Sequence, residues 1–218
     1  MIADEATARA FVGELCDAAA MARLERLISA LRAENERQNL VAAATLDIVW
    51  QRHIADSAQL LGLVSRGTSV RKAETAPWVD LGSGAGFPGL VIAAMRPETE
   101  MILVESRRKR IDWLVRMVSE LELANCRVEG RRLEQVETVP VGVITARAFA
   151  PLEAILRLSA RFSTERTCYL LPKGRSAAQE LQDMPRRIRK TFHVEQSRTD
   201  ADSGIIVGRL SKEALAKL

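Results

Sequence analysis

The chain has 218 residues, 47% apolar and 28% charged, with net charge +4 and mean hydropathy -0.04, a balance that excludes the disordered classes and suits one large domain. It holds no apolar run of the roughly 18 residues a membrane span needs, and its first twenty residues carry Asp4, Glu5, Glu14 and Asp17 where a secretory signal would be basic, so a cytoplasmic protein is expected. Cys16, Cys126 and Cys168 are odd in number and scattered, and His53 and His193 stand alone, which predicts neither a disulfide framework nor a metal site.

Residues 4–36 are rich in Ala, Leu, Arg and Glu. Leu24, Leu27, Ile28 and Leu31 follow the spacing of an amphipathic helix, so one or two helices are expected there. A further helix is expected over 46–64, with Thr45 as its N-cap, Asp47 near the positive end of its dipole and an apolar face through Val49, Trp50, Ile54 and Leu61. The polar stretch 65–76 then closes a helical cap covering residues 1–76.

From Trp78 short apolar runs alternate with helical patterns, the mark of βα units and a parallel sheet. Strands are predicted at 77–81, 101–105, 126–129, 142–146, 167–171, 191–196 and 204–210, and helices at 88–95, 107–121, 151–162 and 175–182. In the helix over 107–121, Ile111, Leu114, Val115, Val118 and Leu121 share one face. The turn-rich segment 199–204 between two apolar runs predicts a closing antiparallel hairpin. The whole reads as one domain, a cap over 1–76 and a core over 77–218. The positive excess lies wholly after residue 76, dense at 107–110, 131–132 and 186–190; phosphate contacts and solvated helix faces both explain it.

The stretch Trp78-Val79-Asp80-Leu81-Gly82-Ser83-Gly84-Ala85-Gly86-Phe87-Pro88-Gly89 runs an apolar strand directly into glycines and then a helix. Such a turn lets a nucleotide approach bare backbone near free helix amides, and Pro88 suits a first helical turn. A dinucleotide fingerprint would need glycine where Phe87 stands, and a P-loop would need a Gly-Lys-Ser/Thr ending. Glycines at 82, 84 and 86 instead resemble the first motif of Rossmann-like methyltransferases. Glu105 ends the next strand, 23 residues after Gly82, near the spacing of a carboxylate that grips ribose hydroxyls; the alternative is an ion pair with Arg107 or Arg108. Leu133 and Glu134 follow the third strand, where this fold places residues around an adenine.

After the fourth strand comes Thr145-Ala146-Arg147-Ala148-Phe149-Ala150-Pro151. It lacks the Asn/Asp-Pro-Pro-aromatic motif of amino-group methyltransferases and the nucleophilic Cys of cytosine C5 enzymes; Cys168 reads as a small core residue. Guanine N7 is an unprotonated lone pair, so its methylation needs orientation and no base. Phe149 would stack on such a base, and Arg147 would donate to the cofactor or to guanine acceptors; a packed Phe and a surface Arg are the alternatives.

With these residues the chain resembles the glucose-inhibited division protein B family, the methyltransferase G group acting on bacterial 16S rRNA. The resemblance rests on Gln38-Asn39-Leu40-Val41-Ala42, Arg52-His53-Ile54-Ala55-Asp56-Ser57, the glycine segment 80–89, the basic run 107–110 with its helix, the segment 145–151, and Leu171-Pro172-Lys173-Gly174. It implies a Rossmann-like class I methyltransferase fold, a seven-stranded, mostly parallel α/β sheet with an N-terminal helical cap. It also implies S-adenosylmethionine as cofactor and methylation of N7 of guanine 527 in the 530 loop, on 30S ribosomal subunits or their precursors. By carry-over Gly82, Phe87, Leu133, Glu134 and Arg147 touch the cofactor, beside Gly84, Gly86 and Glu105 of the glycine loop and strand end; Asn39, Arg107, Arg108 and Lys173 are expected to meet RNA, Lys173 as a salt-dependent phosphate contact. His53, Asp56 and Ser57 are expected to tie the cap to the glycine loop, and the enzyme is expected to act as a monomer. Methylation of another RNA, a protein or a small molecule, and a non-catalytic RNA-binding assembly role, stay open.

Overall fold

The computed structural model describes residues 1–66 and 76–215. The opening region forms two helices, α1 (Glu5–Gly13) and α2 (Ala18–Asn35). Each begins at an aspartate whose carboxylate accepts a first-turn amide, Asp4 from Thr7 at 2.7 Å and Asp17 from Ala20 at 2.8 Å. Leu24, Leu27 and Leu31 of α2 are fully buried, each contributing about 2 kcal/mol of apolar burial.

The helix expected over 46–64 starts later. Ala43–Thr45 is a 3-10 turn, Trp50–Ala55 is a π-helical turn, and α3 runs Asp56–Arg66. Thr45 is not its N-cap, because Glu5 reaches over from α1 and its carboxylate accepts from the amides of Trp50 at 3.0 Å and Gln51 at 2.7 Å. With those orphan amides satisfied from outside, the Thr45 hydroxyl is left to other partners. Within the 65–76 segment expected to close the cap, residues 67–75 lie outside the described residues.

Strands β1 (Trp78–Leu81), β2 (Met101–Val104), β3 (Cys126–Glu129), β4 (Val143–Thr145), β5 (Cys168–Gly174), β6 (Phe192–Gln196) and β7 (Gly204–Gly208) form one sheet in the order β3-β2-β1-β4-β5-β7-β6. The first five are parallel; β7 runs antiparallel to β5, and β6 to β7. β5 outlasts its expected end at 171 because β7 pairs with it through Pro172 and Gly174.

Side chains alternate across the sheet as the period of two requires. Trp78, Met101, Leu103 and Leu170 pack under the cap with α4 (Gly89–Met95) and α5 (Arg108–Glu120). Val79, Ile102, Ile144, Tyr169 and Ile206 pack on the other face under α6 (Leu152–Ser159), α7 (Ala177–Gln182), α8 (Arg186–Arg189) and α9 (Lys212–Leu215). On α5 the buried stripe is rotated from the expected one: Trp113, Leu114 and Met117 enter the core, while Val115 is 52% exposed. The volume of Trp113, fully buried, sets that rotation.

The strand order reverses between β1 and β4, so a crevice opens beyond their carboxyl ends. The basic groups at 107–110 and 131–132 follow β2 and β3 and share that edge. Those of α8 precede β6, whose first residue Phe192 pairs with Gly208 beside the start of β5, and so lie at the opposite edge. Among the described residues no helix is long and apolar enough to cross a membrane.

Candidate functional site

The glycine loop leaves β1 through three left-handed residues, Gly82 (φ 67°), Gly84 (φ 55°) and Gly86 (φ 98°). At Gly82 the conformation and the space both demand glycine, since a Cβ there would lie 2.4 Å from Cδ2 of Phe149. Two side chains brace the loop. Trp113 Nε1 donates to the Ala85 carbonyl at 3.0 Å, and Asp80, fully buried beneath, accepts from the Gly89 amide at 3.2 Å and the Thr145 hydroxyl at 2.9 Å. Burial raises the Asp80 carboxyl to about 6, against the hydrogen bonds from Thr145, Ser83 and Gly89.

Beside the loop lies a cavity of about 160 Å³ lined by Gly82, Val104, Glu105, Ser106, Arg107, Arg131, Leu133, Ala148 and Phe149. The Glu105 carboxylate accepts from the amides of Gly84 at 3.0 Å, Ser106 at 2.7 Å and Arg107 at 2.9 Å, so it splints the loop to the end of β2. Ionised, it keeps acceptor capacity beyond these three bonds. The Arg107 head stands 4.0 Å away and is mostly exposed, a weak competitor.

A larger cavity of about 460 Å³ opens on the other side of Phe149, with Arg52, Asp56, Arg147, Pro151, Lys173 and the hairpin residues Ser197 and Ser203 in its wall. Ala148 and Phe149 line both cavities. Ala148 adopts φ 53°, a left-handed turn for a non-glycine residue, and such strain is held only where the surroundings over-determine it. Here Lys173 does so: its ammonium, 8% exposed, donates to the Ala150 carbonyl at 2.5 Å and pairs with Glu180 at 2.8 Å, while Glu180 also accepts from the Leu152 amide at 2.8 Å.

Arg147 leans from the end of β4 toward the cap. It donates to Asp56 Oδ2 and the Arg52 carbonyl, both at 3.3 Å, and to His53 Nδ1 at 3.2 Å, over the ring of Phe87. His53 stacks on that ring, 4.9 Å between centroids. Burial, then Arg147 and Arg52, lower His53 to about 3, so it is neutral at physiological pH. Asp56 Oδ1 accepts from Gln59 at 2.9 Å and Thr199 at 2.8 Å, fastening the cap to the hairpin turn. Burial pushes the Cys126 thiol up to about 12 and raises that of Cys168 as well, which keeps both as unreactive thiols.

Several residues marked in the sequence stand elsewhere. Gly82, Glu105, Leu133, Arg107 and Phe149 gather at the smaller cavity, and Gly84 bonds Glu105. Gly86 packs on Leu90, and Phe87, expected at the cofactor, is buried under the stacked His53 ring and the Arg147 guanidinium, outside both linings. Glu134 is exposed, its 3-10 turn pointing Leu133 inward. Arg108 is exposed and pairs with Asp112, and Asn39 meets Arg110 of α5 through its carbonyl, away from both cavities. Lys173, expected on an RNA phosphate, is committed to Glu180 and Ala150 because α7 packs beside the end of β5. Ser57 donates to the His53 carbonyl one turn back; His53 reaches Phe87 of the glycine loop, whereas Asp56 ties the cap to Arg147 and the hairpin turn. Ala148, Ser197 and Ser203 line the cavities without a role expected of them, although the segment 145–151 and the turn at 199–204 are both marked in the sequence, and Arg131 is marked there as one of a basic pair after β3.

The sequence profile described as rRNA small subunit methyltransferase G (GidB) matches residues 20–203. The chain is 64% identical to the ribosomal RNA small subunit methyltransferase G of Erythrobacter litoralis over 209 residues, 96% of this chain and 98% of that protein. It is 54% identical to the protein of the same name from Novosphingobium aromaticivorans, across 94% of this chain and 88% of that one. Among solved structures, a crystal structure of MtNAS in complex with S-adenosylmethionine superposes with a TM-score of 0.54 at 14% identity, covering 95% of this chain and 84% of that one.

Proposed function

The chain belongs to the rRNA small subunit methyltransferase G family, and from that premise we propose that it methylates N7 of guanine 527 in the 530 loop of 16S rRNA. It is an S-adenosylmethionine-dependent rRNA methyltransferase. Bound S-adenosylmethionine supplies an electrophilic methyl group on a sulfonium.

The smaller cavity fits the adenosyl part of that cofactor by the chemistry of its donors and acceptors. Glu105 offers carboxylate lone pairs for ribose hydroxyls, Leu133 and Val104 offer apolar surface for a base, and Gly82 leaves backbone open where a side chain would intrude. The larger cavity receives the target guanine. Arg147 donates to the base's O6 and leaves N7 free, and Phe149 offers its ring for stacking. Since N7 bears no proton, the residues orient the base and exclude water without acting as a general base. His53, neutral and occupied at both ring nitrogens, fits that division of labour. Arg107 and Arg131 at the rim supply phosphate contacts.

The observation that supports this reading is that, among the described residues, Ala148 and Phe149 are the two that line both cavities, so a donor bound in one and an acceptor bound in the other would meet at the end of β4. We read cap and sheet as one catalytic domain, monomeric and cytoplasmic, acting on 30S subunits or their precursors. Borohydride and aniline cleavage of 16S rRNA from cells lacking the protein tests it. Loss of the cleavage at guanine 527, restored by the wild-type gene, is expected; cleavage retained in the knockout excludes the assignment.

A further inference from the structure

His53 sits on the π-helical turn, a feature often found where a helix has a functional demand to meet. Each of its ring nitrogens has one partner: Nδ1 lies 3.2 Å from Arg147 Nη2, and Nε2 lies 2.8 Å from Thr45 Oγ1. A guanidinium has donors and no acceptor, so Nδ1 must meet it with a lone pair. The ring proton is then on Nε2, and Thr45 must accept it. The proton of Thr45 has its own destination, the Ala42 carbonyl 2.7 Å from Oγ1. A carbonyl that only accepts and a guanidinium that only donates therefore fix the direction of every bond between them. Burial and the two arginines lower His53 to about 3, in keeping with that neutral ring.

Arg147 spends its Nη1 protons on Arg52 and Asp56 and one Nη2 proton on His53. Its Nε–H and remaining Nη2–H meet no protein acceptor among the described residues, and the side chain lines the larger cavity. Phe87 fixes one face of the guanidinium, and the acceptor at Nδ1 joins Asp56 and the Arg52 carbonyl in setting its rotation in plane.

We propose that Thr45 and His53 are positioning residues for methyl transfer, a one-way relay from Arg147 through His53 to Thr45 and Ala42 that holds the Nε2-protonated imidazole and turns the unused donors of Arg147 toward the incoming guanine. This rests on the reading that the larger cavity takes the base. Thr45 touches neither cavity, so its effect on turnover passes through His53.

The test is long-range proton–nitrogen correlation NMR of the imidazoles in nitrogen-15-labelled protein, with turnover on rRNA measured alongside. The chain has two histidines, and a His193→Gln variant assigns His53 at once. The wild type is expected to show the Nε2–H tautomer at neutral pH. In Thr45→Val, mixed tautomers and a fall in kcat on the order of tenfold are expected, with S-adenosylhomocysteine affinity unchanged. Thr45→Ser should restore both. A merely structural Thr45 would lower Tm and leave tautomer and turnover per folded molecule alone. An Nδ1–H or doubly protonated His53 in the wild type overturns the relay, as does a folded Thr45→Val that keeps both tautomer and turnover. The wild-type spectrum needs no RNA and no variant. It can fail while rRNA is still methylated, and absent methylation beside the expected tautomer would fault the substrate reading alone.

Discussion

Replacing Asp80 by asparagine should flatten the pH dependence of stability and leave the protein at least as stable as wild type at neutral pH. Asp80 is fully buried, and burial raises its carboxyl from 3.8 to about 6. A carboxyl that holds its proton more tightly when folded destabilises the native state as pH rises between those two values; at about 1.4 kcal/mol per unit, the charged form costs roughly 3 kcal/mol at neutral pH. In Asp80→Asn the amide oxygen can still accept from Gly89, and the amide nitrogen can donate to Thr145 Oγ1, whose proton can turn to the Val79 carbonyl 3.3 Å away. Urea denaturation of both proteins across a pH series reads the difference directly, because every other titrating group is common to them. Wild type should lose up to about 3 kcal/mol relative to the variant between about pH 4 and pH 7. A flat difference, or one in which wild type gains with rising pH, would refute the reasoning.

Gly82→Ala adds a Cβ 2.4 Å from the Phe149 ring at φ 67°; a stability loss of about 1–3 kcal/mol and a clear drop in S-adenosylmethionine affinity by calorimetry are expected. Glu105→Gln turns an amide toward the N–H groups of Gly84, Ser106 or Arg107, and should weaken the cofactor at least about tenfold; equal affinity would remove the ribose role. Lys173→Met strands Glu180, whose carboxyl stays below its ordinary value although burial opposes this, because Lys173, Ser176 and the Leu152 amide bond it. A loss of about 2 kcal/mol near neutrality is expected, shrinking as acid protonates Glu180, with reduced turnover at every salt concentration. Arg131→Ala should instead lower RNA affinity in filter binding and reduce the salt slope by about one.

What could be read in advance was whatever depends on local pattern. The strands from Trp78 to Gly208 show themselves through alternation and turn residues, and their limits differ from expectation by a few residues at most. The glycine loop and Glu105 were legible because both are tied to the end of a strand at a fixed spacing. What depends on how the elements pack against one another was not. Glu5 displaces Thr45 as the cap across 45 residues, and Lys173 finds Glu180 only once α7 folds back along β5. The stacking of His53 from the cap on Phe87 of the glycine loop is a contact that no local pattern announces. After β3 a 3-10 turn chose Leu133 over Glu134, and no periodicity reports which side of a three-residue turn faces a cavity.

The most direct test supplies tritiated S-adenosylmethionine and purified protein to small subunits from cells lacking the enzyme, then digests the rRNA to nucleosides. The label should elute as 7-methylguanosine with the wild type and be largely lost with Phe149→Ala, the residue between the two cavities. Label on any other nucleoside, or full transfer by the Phe149 variant, would contradict the placement of donor and acceptor on either side of that ring.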